Sequence, residues 1–155
     1  DITRQYEAIV MGVMLAGGSV DAPMGRHPRN RIKMAVTHNG KEARTHYRVI
    51  KRYRAHTHIT LNLDTGRTHQ LRVHMAHINY PLVGDATHAV QRISSKLTED
   101  LKTKLHAFKH QALHAKMISL QHPITQETLT VKCPLPDDMQ ELLAALEEDL
   151  TCDNT

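Results

Sequence analysis

The chain has 155 residues, which fits one domain or part of one and is long enough to bury a real core. Aromatics are 3% of the chain and Trp is absent, so that core must be aliphatic, and a mean hydropathy of −0.45 with no long apolar run excludes a membrane-spanning helix. Formal net charge is +4, but residues 1–85 carry +7 and residues 86–155 carry −3, a split that points to a polyanion meeting the first part.

From the N-terminus, Thr3 to Met11 predicts a strand around Tyr6, and Gly17-Gly18 and Asp21-Ala22-Pro23 carry turn chemistry. Arg26 to Lys33 reads as a basic loop, with Pro28 set against regular structure. Ala43, Thr45, Tyr47 and Val49 alternate with Arg44, His46 and Arg48, a strand with one apolar and one cationic face. It can pair with 57–63 as a hairpin through 52–55. Between Arg26 and Arg54 stand ten basic residues against one acid, Glu42. Such a cluster is either the footprint of a polyanion site or a solvated basic face. A membrane-surface role is weaker, because no basic amphipathic helix accompanies it.

Next comes the densest stretch, Leu61 to Asp85, which reads as strand, turn, helix and loop. Thr65-Gly66 ends the strand, and Thr65 or Thr68 can cap the helix. Leu71, Met75 and Ile78 form its apolar stripe, while Thr68, His69 and Arg72 share another face. Pro81 follows the helix, and Gly84-Asp85 makes a second turn in which the carboxylate is expected to cap backbone N–H groups.

Downstream, Leu97, Leu101, Leu105 and Phe108 predict an amphipathic helix, and 112–120 and 128–133 predict a hairpin around His122-Pro123. Asp137-Asp138 opens a last helix whose core stripe is Met139, Leu142, Leu143, Leu146 and Leu150. Strands outnumber helices and come as hairpins, which argues an α+β fold with a mixed, mostly antiparallel sheet. Thirteen histidines raise the question of metal. His74 and His77, or His56 and His58, have no Cys partner near them and no His-Glu-x-x-His frame, so no metal site is expected. Cys133 and Cys152 are too few for a disulfide framework and predict free thiols in a reducing cytoplasm, with no signal-peptide pattern at the start.

The run Thr65-Gly66-Arg67-Thr68-His69-Gln70-Leu71-Arg72-Val73-His74, followed by Pro81-Leu82-Val83-Gly84-Asp85, resembles the signature of the ribosomal large-subunit pseudouridine synthases. The resemblance extends over nearly the whole chain. Arg4-Gln5-Tyr6-Glu7-Ala8 is similar to the family's tyrosine motif, and Gln111-Ala112-Leu113-His114-Ala115 and His122-Pro123-Ile124 are most similar to its D-type branch. The resemblance implies a partial pseudouridine synthase catalytic domain: a bent sheet with flanking helices around an RNA-binding cleft.

The implied reaction breaks a glycosidic C–N bond and remakes it as C–C without net redox change, so no cofactor is expected. A carboxylate is its natural centre, and the base must leave the stack to be reached. By resemblance Arg72 pairs with that carboxylate, Tyr6 stacks on the target base near C5, and Leu82 packs the pocket floor. Arg67, His69 and Gln70 either meet RNA or tie the helix start to its loop. Arg26, Arg29, Arg31, Lys33, Arg44 and Arg48 are the candidate backbone contacts.

The family's catalytic aspartate lies in an Arg-Leu-Asp sequence upstream of the tyrosine motif, and no Arg-Leu-Asp occurs here. The expectation is a C-terminal portion of the catalytic domain, inactive alone, whose partners are large-subunit ribosomal RNA or a pre-ribosomal particle and the N-terminal half of the same domain, with no membrane. Asp64 and Asp85 are not expected to replace the nucleophile. After Asp85, Thr87-His88-Ala89-Val90 departs from the family's Tyr-Gly pair. The alternative function is an RNA-binding module without catalysis.

Overall fold

The computed structural model describes residues 2–30, 33–67 and 69–152. Its frame is a six-stranded sheet built from β1 (Ile2–Met11), β2 (Gly18–Asp21), β5 (Arg44–Arg52), β6 (His56–Leu63), β7 (Leu113–Gln121) and β8 (Thr128–Lys132), in the order β2-β5-β6-β1-β7-β8. Every described pairing is antiparallel. A small separate hairpin, β3 (Met24–Arg26) with β4 (Met34–Val36), flanks the basic loop. The α+β class expected from the hairpin pattern is therefore what forms.

Strand β1 is central because both its faces are covered. Ala8 and Val10 face one way, into a core shared with Ile59, Leu61, Leu71, Met75 and Leu82. Ile9 faces the other way, into a core with Leu101, Leu105, Met139, Leu142 and Leu146. Helix α1 (Gln70–His77) covers the first face, and α2 (Glu99–Ala107) and α3 (Asp137–Cys152) cover the second. A strand buried on both sides reads as a continuous apolar run, which is why Ile9-Val10-Met11 does not alternate.

Two local expectations fail. Residues 17–23 hold more than turns: Gly18–Asp21 forms β2 and pairs with the edge of β5. The start of α1 has no side-chain cap, since His69 occupies the N-cap position in a left-handed conformation with φ 56°. Thr65 cannot cap it because its hydroxyl donates to Gln70 Oε1 at 2.7 Å while accepting from Arg44 N. Thr68 and Arg31 lie outside the described residues.

Candidate active site

Tyr6, Arg67, His69, Gln70 and Arg72 line one cavity of about 240 Å³, together with Leu63, Leu71, Gln111 and Leu113. Its walls come from the middle of β1, the end of β6, the turn after it, the first turn of α1 and the start of β7. Tyr6 is half-buried on the α1 side of the sheet, opposite Leu61 on β6. The volume is several times the roughly 30 Å³ that one water occupies, enough for a planar heterocycle. Five residues that the sequence singled out thus meet at one place. Leu82 does not: it is fully buried in the core beneath, bridged to Val10, and forms no part of the lining. Its apolar side chain anchors the loop rather than the pocket floor.

At the back of the cavity Arg72 is held from one side. Its Nη2 donates to Asp85 Oδ1 at 2.8 Å, and its Nε is buried with no hydrogen-bond partner among the described residues. Asp85 is 1% exposed. Among the described residues it caps no backbone group, contrary to the sequence expectation, and instead accepts from His88 Nδ1 at 3.0 and 3.2 Å as well as from Arg72. Burial alone would push this carboxyl's pKa up. The hydrogen bonds and charges of His88 and Arg72 outweigh that and hold it well below the usual carboxylate range.

Gly84 makes this placement possible. Its φ of +82° favours glycine, and a Cβ there would lie 1.8 Å from the His110 carbonyl oxygen. Sequence reasoning missed the Asp85–His88 pair. The signal available was a carboxylate and an imidazole three residues apart just after a glycine turn.

His69 stands exposed at the cavity rim with its ring 6.1 Å from that of His88, edge to face. Local desolvation, with the Arg72 charge second, lowers its pKa from the ordinary imidazole value. Arg67 is tied by Nε to the Glu42 carbonyl at 2.8 Å.

Gln70 is committed to the fold rather than to RNA. It is 2% exposed. Its Oε1 accepts from Thr65 Oγ1 and Arg67 N, and its Nε2 donates to Arg44 O and Thr45 Oγ1. Thr45 Oγ1 lies 2.8 Å from His74 Nδ1, and His74 Nε2 lies 2.9 Å from Ala22 O. Gln70 gives Thr45 its donor, so the hydroxyl hydrogen goes to His74 Nδ1 and Nε2–H donates to Ala22. This buried chain fixes α1 to β5 and to the segment after β2. Burial pushes the His74 pKa down, in keeping with a neutral ring.

The basic cluster divides on folding. Arg44 is offset by Asp21, Glu42 and Asp64 at 3.2, 3.5 and 3.6 Å, so it presents no spare cation, against the sequence expectation. The hydrogen bond that it donates to Asp21 leads the causes that raise its pKa. Asp64 also binds His46 at 2.8 Å, which leads the causes that lower its own pKa and marks it as an ion-pair centre rather than a reacting group. Lys51 pairs with Glu147, Arg52 donates to the Met14 and Leu15 carbonyls, and Arg54 pairs with the buried Asp149. Arg26, Arg29 and Arg48 are exposed and Lys33 is partly so. The first two and Lys33 belong to the β3–β4 hairpin and its loop. That hairpin rests on α1 through Met24, Met34 and Val36 against Val73. Among the described residues no group of three His, Cys, Asp or Glu could hold a metal ion.

A family model for RNA pseudouridylate synthases matches residues 1–77. Ribosomal large subunit pseudouridine synthase D of Vibrio cholerae is 49% identical over 156 positions, covering 100% of this chain and 48% of the relative. The protein of the same name from Pasteurella multocida is 53% identical, covering 96% of this chain and 46% of its own length. The chain spans about half the length of the curated relatives it matches. Among solved structures, human RNA pseudouridylate synthase domain containing 4 superposes with a TM-score of 0.71 at 25% identity, covering 94% of this chain and 62% of that one. Human RNA pseudouridylate synthase domain containing 1 gives 0.69 at 22% identity, covering 94% and 66%, and shares the fold.

Proposed function

This chain belongs to the RNA pseudouridylate synthase family, and from that membership we propose that it forms the Tyr6–Arg72 side of a catalytic cleft that isomerises uridine to pseudouridine in large-subunit ribosomal RNA. The observation that carries this is the cavity itself, where Tyr6, Arg67, His69 and Arg72 converge and the buried Arg72 Nε lacks an acceptor among the described residues. A buried donor without a partner costs about 1–3 kcal/mol, so its retention argues for an acceptor that arrives with the working site.

That acceptor is the reacting carboxylate, supplied by a segment of the same domain outside this chain. A carboxylate facing Nε is oriented by a charge-assisted hydrogen bond and kept ionised. It bonds to the ribose C1′ as the C1′–N1 bond breaks and the electron pair leaves with uracil. The freed uracil turns in the pocket beneath Tyr6, C5 bonds to C1′ as the carboxylate–C1′ bond breaks and frees the carboxylate, and the proton leaves C5 while N1 takes one up. Atoms and electrons balance with no co-reactant. The target nucleotide must leave its stack for its base to enter the recess. The hairpin loop with Arg29 and Lys33 would meet the phosphate backbone. The partner is large-subunit ribosomal RNA or a precursor particle in the cytoplasm.

The test is tritium release from C5-labelled uridine in ribosomal RNA. Full-length protein should turn over, Arg72→Ala in that protein should not, and full-length protein with no turnover refutes the proposal. A second reading, RNA binding without catalysis, is favoured by one observation: the sequence contains no Arg-Leu-Asp. Binding of structured RNA by a full-length protein that releases no tritium would establish it.

A further inference from the structure

We propose that Asp85 is a positioning residue: a buried carboxylate that anchors Arg72 at Nη2, is itself held by His88, and so fixes the plane of the Arg72 guanidinium where the residue lines the cavity. The inference rests on the reading of Arg72 as the arginine that meets the reacting carboxylate.

A guanidinium is a rigid planar fork, so fixing one terminal nitrogen restricts the whole plane. Arg72 comes from a short helix and has its side chain 15% exposed. Without a second anchor its long side chain would keep several rotamers, and the guanidinium would hold its present orientation only part of the time. The 2.8 Å bond to Asp85 removes that freedom.

Asp85 is in turn placed by backbone. Val83 N donates to Ile9 O, Ala112 N donates to Val83 O, and Asp85 N donates to Leu82 O, at 2.9, 2.8 and 3.1 Å. The residues just before the carboxylate are thus pinned between β1 and the start of β7. His88 completes the hold. A carboxylate only accepts, so His88 Nδ1 must carry the hydrogen and donate. Its ring is 4% exposed, which leaves it little room to swing away.

The arrangement also says what Asp85 does not do. Its two oxygens already take hydrogen bonds from Arg72 and His88, and the residue is 1% exposed. A nucleophile needs an open approach to the ribose, and Asp85 has none. It acts through Arg72.

The first experiment needs only this chain. In wild type the Arg72 guanidinium should give separately resolved, slowly exchanging NH signals in ¹⁵N-resolved spectra, and in Asp85→Asn those signals should average as rotation is freed. If Asp85→Asn does not fold, His88→Leu carries the same reading, since Asp85 then loses its second donor. Unchanged Arg72 signals in the folded variant overturn the proposal.

The second experiment uses full-length protein. Asp85→Asn should lower kcat about tenfold to a hundredfold with KM for RNA within about twofold, the size of one lost charge-assisted bond in the transition state. In an Arg72→Lys background the same change should cost less than about twofold, because a residue acting through Arg72 has nothing left to position. A full cost in that background overturns the proposal, as does complete loss of turnover with Arg72 still restrained, which would make Asp85 the reacting group. Full-length protein without any turnover refutes the proposed function, while the resonance reading still decides on Asp85.

Discussion

Arg72→Lys is the sharpest perturbation of the site. In wild type Nη2 binds Asp85 Oδ1 at 2.8 Å while the buried Nε has no acceptor among the described residues, so in the proposed site one side chain would serve two carboxylates from two nitrogens. A lysine ammonium is a single point donor on a flexible stem. It can satisfy Asp85, which is already in place and buried, but it cannot reach a second carboxylate from the fixed angle of a fork. One charge-assisted hydrogen bond to the reacting group is lost, about 1.5–3 kcal/mol. That corresponds to a fall of roughly tenfold to 150-fold in kcat. RNA affinity should stay within about twofold, because Arg72 is sheltered behind the cavity and touches no phosphate in this reading. The assay is single-turnover tritium release at saturating full-length enzyme, beside equilibrium RNA binding. If affinity falls in step with the rate, Arg72 is a phosphate contact and the reasoning fails.

Gln70→Ala should destabilise the chain by about 2–3 kcal/mol in urea unfolding, since it strands the donors and acceptors of Arg67, Thr45 and Arg44 that Gln70 now satisfies. Burial, partly offset by Asp149, pushes the His56 pKa down to about 4. The unfolded chain takes up that proton near the ordinary value of 6.5, so stability is full above about pH 6.5 and falls by about 3 kcal/mol as pH drops through 4. His56→Gln should flatten that slope, and an unchanged slope would clear His56. Removing Arg29, Arg31 and Lys33 together should weaken binding to any structured RNA and reduce the slope of log affinity against log salt by about two to three. The same variant should leave single-turnover rates on bound RNA nearly unchanged, and an unaltered salt slope would show the loop to be solvated surface. This chain by itself should release no tritium from labelled RNA, and turnover at a synthase-like rate would return Asp64 or Asp85 to consideration.

Periodicity was enough for the elements whose faces are cleanly divided. The alternation across 43–49 and the stripe of Met139, Leu142 and Leu146 correspond to β5 and α3. It was not enough where tertiary pairing decides. Gly18–Asp21 has no strand signature of its own and becomes β2 because β5 offers an unpaired edge. Charge counting misled for a related reason. The cationic cluster is real in sequence, but Arg44, Lys51 and Arg54 find carboxylates at Asp21, Glu147 and Asp149, up to 96 positions away. Composition cannot show which cations are offset by acids brought in from afar.

The motif from Thr65 to His74 has the same double character. Its spacing marks one locus, yet the side chains there do unlike things. Gln70, Thr65 and His74 point into protein and build a hydrogen-bonded tie between α1 and the sheet. Arg67, His69 and Arg72 line the cavity. Within α1, Gln70 and His74 stand four apart and share a face, while Arg72 between them points about half a turn away. The tie holds the first turn of α1 rigidly enough that Arg72 leaves it at a fixed angle, and Asp85, arriving from beyond the helix, fixes the other end. A site needing a carboxylate held to within a fraction of an ångström requires such support at both ends of its arginine. This is why a loop that sequence reading treated as a plain turn carries one of the two anchors.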